Sequence, residues 1–215
     1  MMRRMHIGSI ELATPLALAP MAGITDKPFR MLCRRFGAGL ASSEMTTSDP
    51  SLQNTRKTLQ RADHSGETGI RSVQIVGNIP EVMAEAAKLN LARGAQINDI
   101  NMGCPVPKIV TGSGGASLMK TPDHAFKIVE AIVKEIKKPL TVKTRLGWDE
   151  AHLNVLEMAA GLEKAGTSAI AIHGRTRGAM YSGEARFDLI RQVKANAKIP
   201  IIANGDITSI AKAKE

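Results

Sequence analysis

Aromatic side chains are scarce: one Trp, one Tyr and four Phe occur in 215 residues. That argues against an RNA-binding sheet built on stacked aromatic platforms. Cysteine is nearly missing too. Cys33 and Cys104 are its two occurrences, in different segments and without the spacing of a zinc site or a redox pair, so no metal is expected and reduced thiols are. No apolar run approaches the roughly 18 to 20 residues that a membrane-spanning helix needs. The basic opening, Met1 to His6, is not followed by an apolar stretch and a small-residue cleavage site. A cytoplasmic protein with no membrane contact is expected. Acidic residues are outnumbered, with 20 Asp and Glu against 29 Lys and Arg, for a net charge of +9. Such an excess suits a polyanionic partner, because phosphate contacts release counterions, although composition alone does not establish one.

What is present is alternation. Short apolar runs rich in β-formers occur at Leu16–Met21, Gly39–Ser43, Arg71–Val76, Ile97–Asn101, Leu140–Arg145, Ala169–His173 and Ile199–Ala203. Helical patterns lie between them, clearest over Pro80–Arg93, Pro122–Ile136, Ala151–Ala165 and Phe187–Asn196. Pro80 and Pro122 stand where a first-turn proline is tolerated, and Glu81 and Asp123 complement the helix dipole. Strand–helix alternation means an α/β fold with a parallel sheet.

A doubly wound dinucleotide fold requires a glycine fingerprint after its first strand. The first run here ends in Pro20-Met21-Ala22-Gly23 and no G-x-G-x-x-G follows. An eight-stranded barrel instead gathers polar residues at the C-terminal ends of its strands. Gln74, Asp99 and Asn101, Lys143 and Arg145, His173 and Asn204 occupy those ends. Thr141, Lys143 and Arg145 share one face of their strand, as do Ala169, Ala171 and His173 of theirs. The expected fold is therefore a TIM (β/α)8-type barrel. It is expected to be incomplete, with about seven strands, because little sequence follows Asn204-Gly205-Asp206.

Cys104, in Asn101-Met102-Gly103-Cys104-Pro105, sits on the loop face where barrel enzymes work. A thiol with the ordinary cysteine pKa of about 8.5 is mostly protonated at neutral pH, so such a residue serves as a general acid as readily as a nucleophile. Cys33, among Phe29, Leu32 and Phe36, reads as core. Lys143 and His173 form a cationic pair suited to an anion or an electron-rich ring. A barrel lysine equally suits a Schiff base. The Gly-rich stretch Thr111–Ala116 lacks a P-loop ending and is expected to be a mobile loop over the site. Lys108, Arg145, Arg175 and Arg177 add positive charge for an RNA backbone.

Taken in order, Ala19–Asp26 (APMAGITD), Ser43-Glu44-Met45, Val73-Gln74-Ile75, Asp99–Pro105 (DINMGCP), Lys143–Trp148 (KTRLGW), His173–Arg177 (HGRTR) and Ala203–Asp206 (ANGD) resemble the tRNA-dihydrouridine synthase family, its bacterial B-type branch above all. The resemblance implies an oxidoreductase that reduces the C5–C6 double bond of uridine in tRNA, with FMN recharged by NADPH (or NADH). It implies that Cys104 donates the proton. Pro20, Met21 and Ala22 would line the flavin and Gln74 would bond its ring edge. Lys143 and His173 would lie beside the ring, and Asn204, Gly205 and Asp206 near the ribityl and phosphate end. Asn101, Arg145, Arg175 and Arg177 would meet substrate.

Family members continue into an eighth strand bearing a Gly-Arg pair, then a helical domain that helps hold tRNA. Residues 1–215 thus read as one FMN-binding barrel domain, C-terminally truncated, without the tRNA-binding helical domain, and a monomer. The alternatives are an inactive remnant, or another FMN-dependent barrel reductase acting on a small pyrimidine.

Overall fold

A computed structural model describes residues 5–214. The basic opening therefore lies, in Met1–Arg4, outside the described residues. The chain begins with an antiparallel hairpin, β1 (Met5–Ile7) and β2 (Ile10–Leu12). It continues with β3 (Ala17–Leu18), α1 (Lys27–Arg35), β4 (Leu40–Ser42), β5 (Thr46–Thr47) and a 3-10 turn, Pro50–Leu52. Next come α2 (Arg56–Ala62), β6 (Arg71–Val76), α3 (Pro80–Ala92), β7 (Ile97–Asn101), α4 (Pro107–Val110) and a second 3-10 segment, Gly115–Lys120. Then follow α5 (Pro122–Glu135), β8 (Leu140–Thr144), α6 (Val155–Lys164), β9 (Ala169–His173), α7 (Phe187–Asn196), β10 (Ile201–Asn204) and α8 (Ile210–Lys214).

The strands after the hairpin are parallel and neighbour one another in chain order, β3-β4-β6-β7-β8-β9-β10, with β5 pairing further along β6. The wall is a nearly closed TIM-like barrel with seven strand positions, as the strand count predicts. The edges β3 and β10 face a common interior space, since Ala17–Pro20 and Ile202–Asn204 line one cavity. Among the described residues no strand joins the two.

Period-2 alternation divides each strand between two environments. Ile75, Ile100, Val142, Ile170 and Ile172 point outward and are wholly buried beneath the helices, packed with Met83, Ile128, Met158 and Leu162. Each such side chain contributes about 1.5–3 kcal/mol by leaving water. The inward positions are polar or small: Gln74, Asp99, Thr141 and Ala169 stand in one register row across β6, β7, β8 and β9. Asn101, Lys143, Ala171 and Ile202 form the row above.

The hairpin closes the barrel floor, where Ile7 and Leu12 pack with Leu40, Ile97 and Ala169. Sequence patterning did not reveal it, because three-residue strands are too short to show a period. The α1 region also departs from expectation. Its one buried residue is Arg30, whereas Leu32 is 45% exposed and Phe36 82%. The core reading of Cys33 and its neighbours is thus corrected. The inward face of α1 is an ion network in which Arg30 and Arg34 meet the buried Glu67 carboxylate.

Candidate functional site

The C-terminal strand ends enclose a cleft of about 500 Å³, within the usual size range of cofactor sites. Its lining includes Pro20, Met21, Ala22, Asn101, Cys104, Lys143, Arg145, His173, Arg175, Asn204, Gly205 and Asp206. Of the fourteen residues singled out in the sequence, these twelve converge. Gln74 lies one layer deeper, 1% exposed, and bonds Asn101 at 2.9 Å. Arg177 stands apart, with its guanidinium stacked 4.5 Å over the Trp148 ring.

Local interactions shape each wall. Beyond β3, Met21 through Thr25 form a turn, closed by the Ile24 and Thr25 amides donating to the Met21 carbonyl. Glu44 pins the turn by accepting the Gly23 N–H at 2.6 Å. On the opposite wall, Asn101 Oδ1 accepts the Cys104 N–H at 2.8 Å and the Gly103 N–H at 3.2 Å. The Cys104 carbonyl in turn accepts the Ala116 N–H at 3.1 Å. The Gly-rich segment is only in part the cover expected: Thr111, Gly112 and Ser113 are exposed, whereas Gly114, Gly115 and Ala116 are buried and, with Leu118 and Met119, brace the cysteine loop from behind. Gly115 permits this with φ +58° and no side chain, since a Cβ there would lie 2.8 Å from the Cys104 carbonyl oxygen.

The cations have distinct employments. Lys143 Nζ donates to Asn204 Oδ1 at 3.0 Å, its one hydrogen bond among the described residues. Burial, reinforced by nearby Arg145 and opposed by Asp99, pulls the Lys143 ammonium down to about 8. Arg145 donates from Nε to the Gly103 carbonyl at 2.8 Å and from Nη1 to the Thr176 and Met180 carbonyls. Arg175 Nη2 grips both oxygens of Asp206 at 2.7 and 2.9 Å, and Asp206 also accepts the Ala185 N–H. Burial and then the three neighbouring cations, Arg145, Lys143 and Arg175, depress the His173 imidazole to about 4. At neutral pH His173 is uncharged, so its Nε2 accepts from Arg175 Nη1 at 3.2 Å. The cationic pair expected from the sequence is thus one ammonium beside a neutral imidazole.

The sequence reading gave four contributors no role in the site, although it placed Asp99 at a strand end and Thr141 on the face of Lys143. Asp99 and Thr141 join Gln74 in a buried polar row, signalled only by their period-2 relation to Asn101 and Lys143. Met180 and Tyr181 line the mouth, with Tyr181 lying 5.7 Å beneath the Arg145 guanidinium. Nothing in the short 178–184 stretch marks them. Among the described residues, no three His, Cys, Asp or Glu side chains gather where they could hold a metal ion, and no helix is long and apolar enough to cross a membrane.

The class defined by the fold and its mouth is a parallel β/α barrel with a cysteine and several cations on the loop face. The profile of the dihydrouridine synthase (Dus) family matches residues 17–215, and the chain belongs to that family. It is 51% identical over 210 residues to a protein from Vibrio vulnificus named tRNA-dihydrouridine synthase B, covering 98% of this chain and 65% of that protein. A protein of the same name from Xanthomonas campestris is 50% identical over 211 residues, 98% of this chain and 64% of its own length. The chain thus spans just under two thirds of the length of these relatives. The solved structure of histamine dehydrogenase from Rhizobium sp. 4-9 superposes with a TM-score of 0.68 over 96% of this chain and 42% of its own, at 13% identity. That likeness speaks to the fold alone.

Proposed function

We propose that the mouth of this barrel is an FMN site at which uridine in tRNA is reduced to 5,6-dihydrouridine, with Cys104 as proton donor and NADPH (or NADH) as the source of electrons. The single observation that carries this reading is the convergence of Cys104 with the half-buried Lys143 on one cleft, in a chain of the dihydrouridine synthase family.

The residues present fit a flavin. Lys143 is half-buried and spends one of its three N–H donors on protein, which leaves donors for an electron-rich ring edge. Ala169 and Ala171, beside it on β9, keep the barrel interior open. Pro20, Met21 and Ala22 offer a flat apolar wall. Gly205 gives close backbone approach, at φ +106° where a Cβ would strike the His173 ring at 2.7 Å. When bound and reduced, FMN supplies hydride to uridine C6. Cys104 releases its thiol proton to C5, and the thiolate left behind is reprotonated from solvent, so the bond order falls by one with charge conserved. Lys143 holds positive charge beside the ring where the reduced form becomes anionic.

Arg145, Arg175 and Asn101 hold the loops around the cleft, and Arg145 and Arg175 keep its electrostatic field positive toward a polyanion. Lys120 and Arg177, both held against the Trp148 ring, extend positive charge beyond the mouth for the tRNA backbone. Residues 1–215 act as one barrel domain, monomeric and cytoplasmic.

The test is dihydrouridine content of unmodified tRNA incubated with the chain, FMN and NADPH. Product is expected with the parent sequence and lost by about 100-fold or more in Cys104→Ala, within the contribution of a general acid. Undiminished product from Cys104→Ala overturns the proton-donor role.

A further inference from the structure

We propose that Asp99 is a positioning residue that anchors a directed chain of hydrogen bonds running from the barrel interior to the cysteine loop. Thr141 Oγ1 donates to Asp99 Oδ1 at 2.6 Å. Gln74 Nε2 donates to Asp99 Oδ2 at 2.6 Å. Asn101 Nδ2 donates to Gln74 Oε1 at 2.9 Å. Asn101 Oδ1 accepts the Cys104 and Gly103 N–H groups. Thr141, Asp99 and Gln74 are all at least 94% buried, at 6%, 5% and 1% exposure, so each bond stands in a low-dielectric interior where an orphaned partner is costly.

The direction of the chain is fixed from both ends. Two backbone N–H groups oblige Asn101 to present its oxygen to the cysteine loop and therefore its amide nitrogen to Gln74. Gln74 must then accept with Oε1, which turns Nε2 inward. Only an acceptor satisfies it there, and Asp99 supplies one. The burial of Asp99 raises its carboxyl above the usual range, opposed by the Thr141 and Gln74 bonds and by Lys143. Either protonation state leaves the oxygen facing Gln74 an acceptor, because the Thr141 hydroxyl can serve the other oxygen as donor or as acceptor.

Two consequences follow for the site. The Asn101 amide is spent, with Oδ1 doubly bonded and Nδ2 shared between Gln74 and the Met45 sulfur at 3.5 Å. Asn101 therefore acts on the reaction by holding Cys104 rather than by touching substrate. The Gln74 amide is locked as well, one layer beneath the cleft, with Nε2 on Asp99 and Oε1 on Asn101. This inference deepens the reading of the mouth as an FMN site and rests on it for its catalytic meaning.

The experiment measures site-resolved alkylation of Cys104 by iodoacetamide, read by peptide mass spectrometry so that Cys33 does not interfere, together with FMN affinity by fluorescence titration. Asp99→Leu keeps the branched shape, with two bulkier methyl groups in place of the oxygens, and removes the acceptor. A folded Asp99→Leu protein is expected to alkylate at Cys104 about tenfold faster and to bind FMN about tenfold more weakly, the upper end for one neutral hydrogen bond. Asp99→Asn, with its oxygen toward Gln74 and its amide toward the Thr141 hydroxyl, is expected to stay within about twofold of the parent in both, since it retains the acceptor.

A folded Asp99→Leu protein with parental Cys104 reactivity overturns the proposal. If that variant does not fold, Asp99→Asn decides: a tenfold change there overturns it and parental behaviour supports it. A purely structural role lowers the melting temperature without changing the reactivity of the native thiol. Alkylation needs neither flavin nor tRNA. A protein that fails to bind FMN but shows this alkylation pattern therefore contradicts the flavin reading and leaves the Asp99 chain standing.

Discussion

Lys143 on β8 donates to Asn204 at the end of β10, 3.0 Å away and 61 residues later in the chain. The bond reaches across β9 to the edge strand of the barrel and fixes the ammonium in the mouth. Removing it with Lys143→Met is expected to weaken FMN binding about 10- to 100-fold, the worth of a hydrogen bond to a charged group. Fluorescence titration of FMN checks this, and unchanged affinity would rule Lys143 out as a flavin contact.

The same lysine gives the protein a pH signature. Its folded pKa of about 8 lies below the ordinary lysine value of 10.5. The cation is present below pH 8 and lost above it, so FMN affinity is expected to fall as pH rises through 8, and this loss should vanish in Lys143→Met. The sign for stability is opposite. Between about pH 8 and 10.5 the unfolded chain holds a proton on this lysine that the folded chain lacks, so this group alone makes stability rise with pH there. Parallel affinity and denaturation curves from pH 7 to 10 separate the two effects.

Glu67 is wholly buried between Arg30, Arg34 and His64. Burial alone would raise its carboxyl, but the His64 and Arg30 contacts prevail and hold it at about 2, below the ordinary 4.5. Its contribution to stability is fully present above pH 4.5 and lost as pH falls toward 2. Glu67→Ala leaves Arg30 buried without its partner and is expected to cost about 3–5 kcal/mol in chemical denaturation. A loss under 1 kcal/mol would mean that the network relaxes into water.

Gly115 lies behind the cysteine loop. Gly115→Ala forces a Cβ to 2.8 Å from both the Cys104 carbonyl oxygen and Ile109 Cγ2, at a φ of +58°. The expected cost is about 1–3 kcal/mol of stability with a marked loss of uridine reduction, because the loop that carries Cys104 must shift. Normal activity at a lowered melting temperature would separate the brace from the chemistry.

Much of this arrangement was legible because a parallel barrel imposes two periods on its sequence. Ile170 and Ile172 alternate with Ala169, Ala171 and His173, and that alone told which face meets helices and which meets the interior. The α1 helix misled for the complementary reason. Phe29, Leu32 and Phe36 have helical spacing, but the partner of that helix is the loop carrying Glu67, and only the three-dimensional approach of residues 30 and 67 reveals a charged inner face. The neutral state of His173 was equally hidden, since it depends on Arg145, Lys143 and Arg175 converging from two strands. The floor hairpin rests on contacts between segments far apart in sequence, and the bracing role of Gly115 on a loop folding back onto Cys104, neither of which a periodic pattern records.

The function proposed for the barrel mouth depends on its holding a flavin. The direct measurement is the visible absorption spectrum of the purified 215-residue chain after incubation with FMN and removal of free flavin by desalting. Retained flavin bands that NADPH bleaches under anaerobic conditions are expected. A folded but colourless protein would contradict the flavin reading.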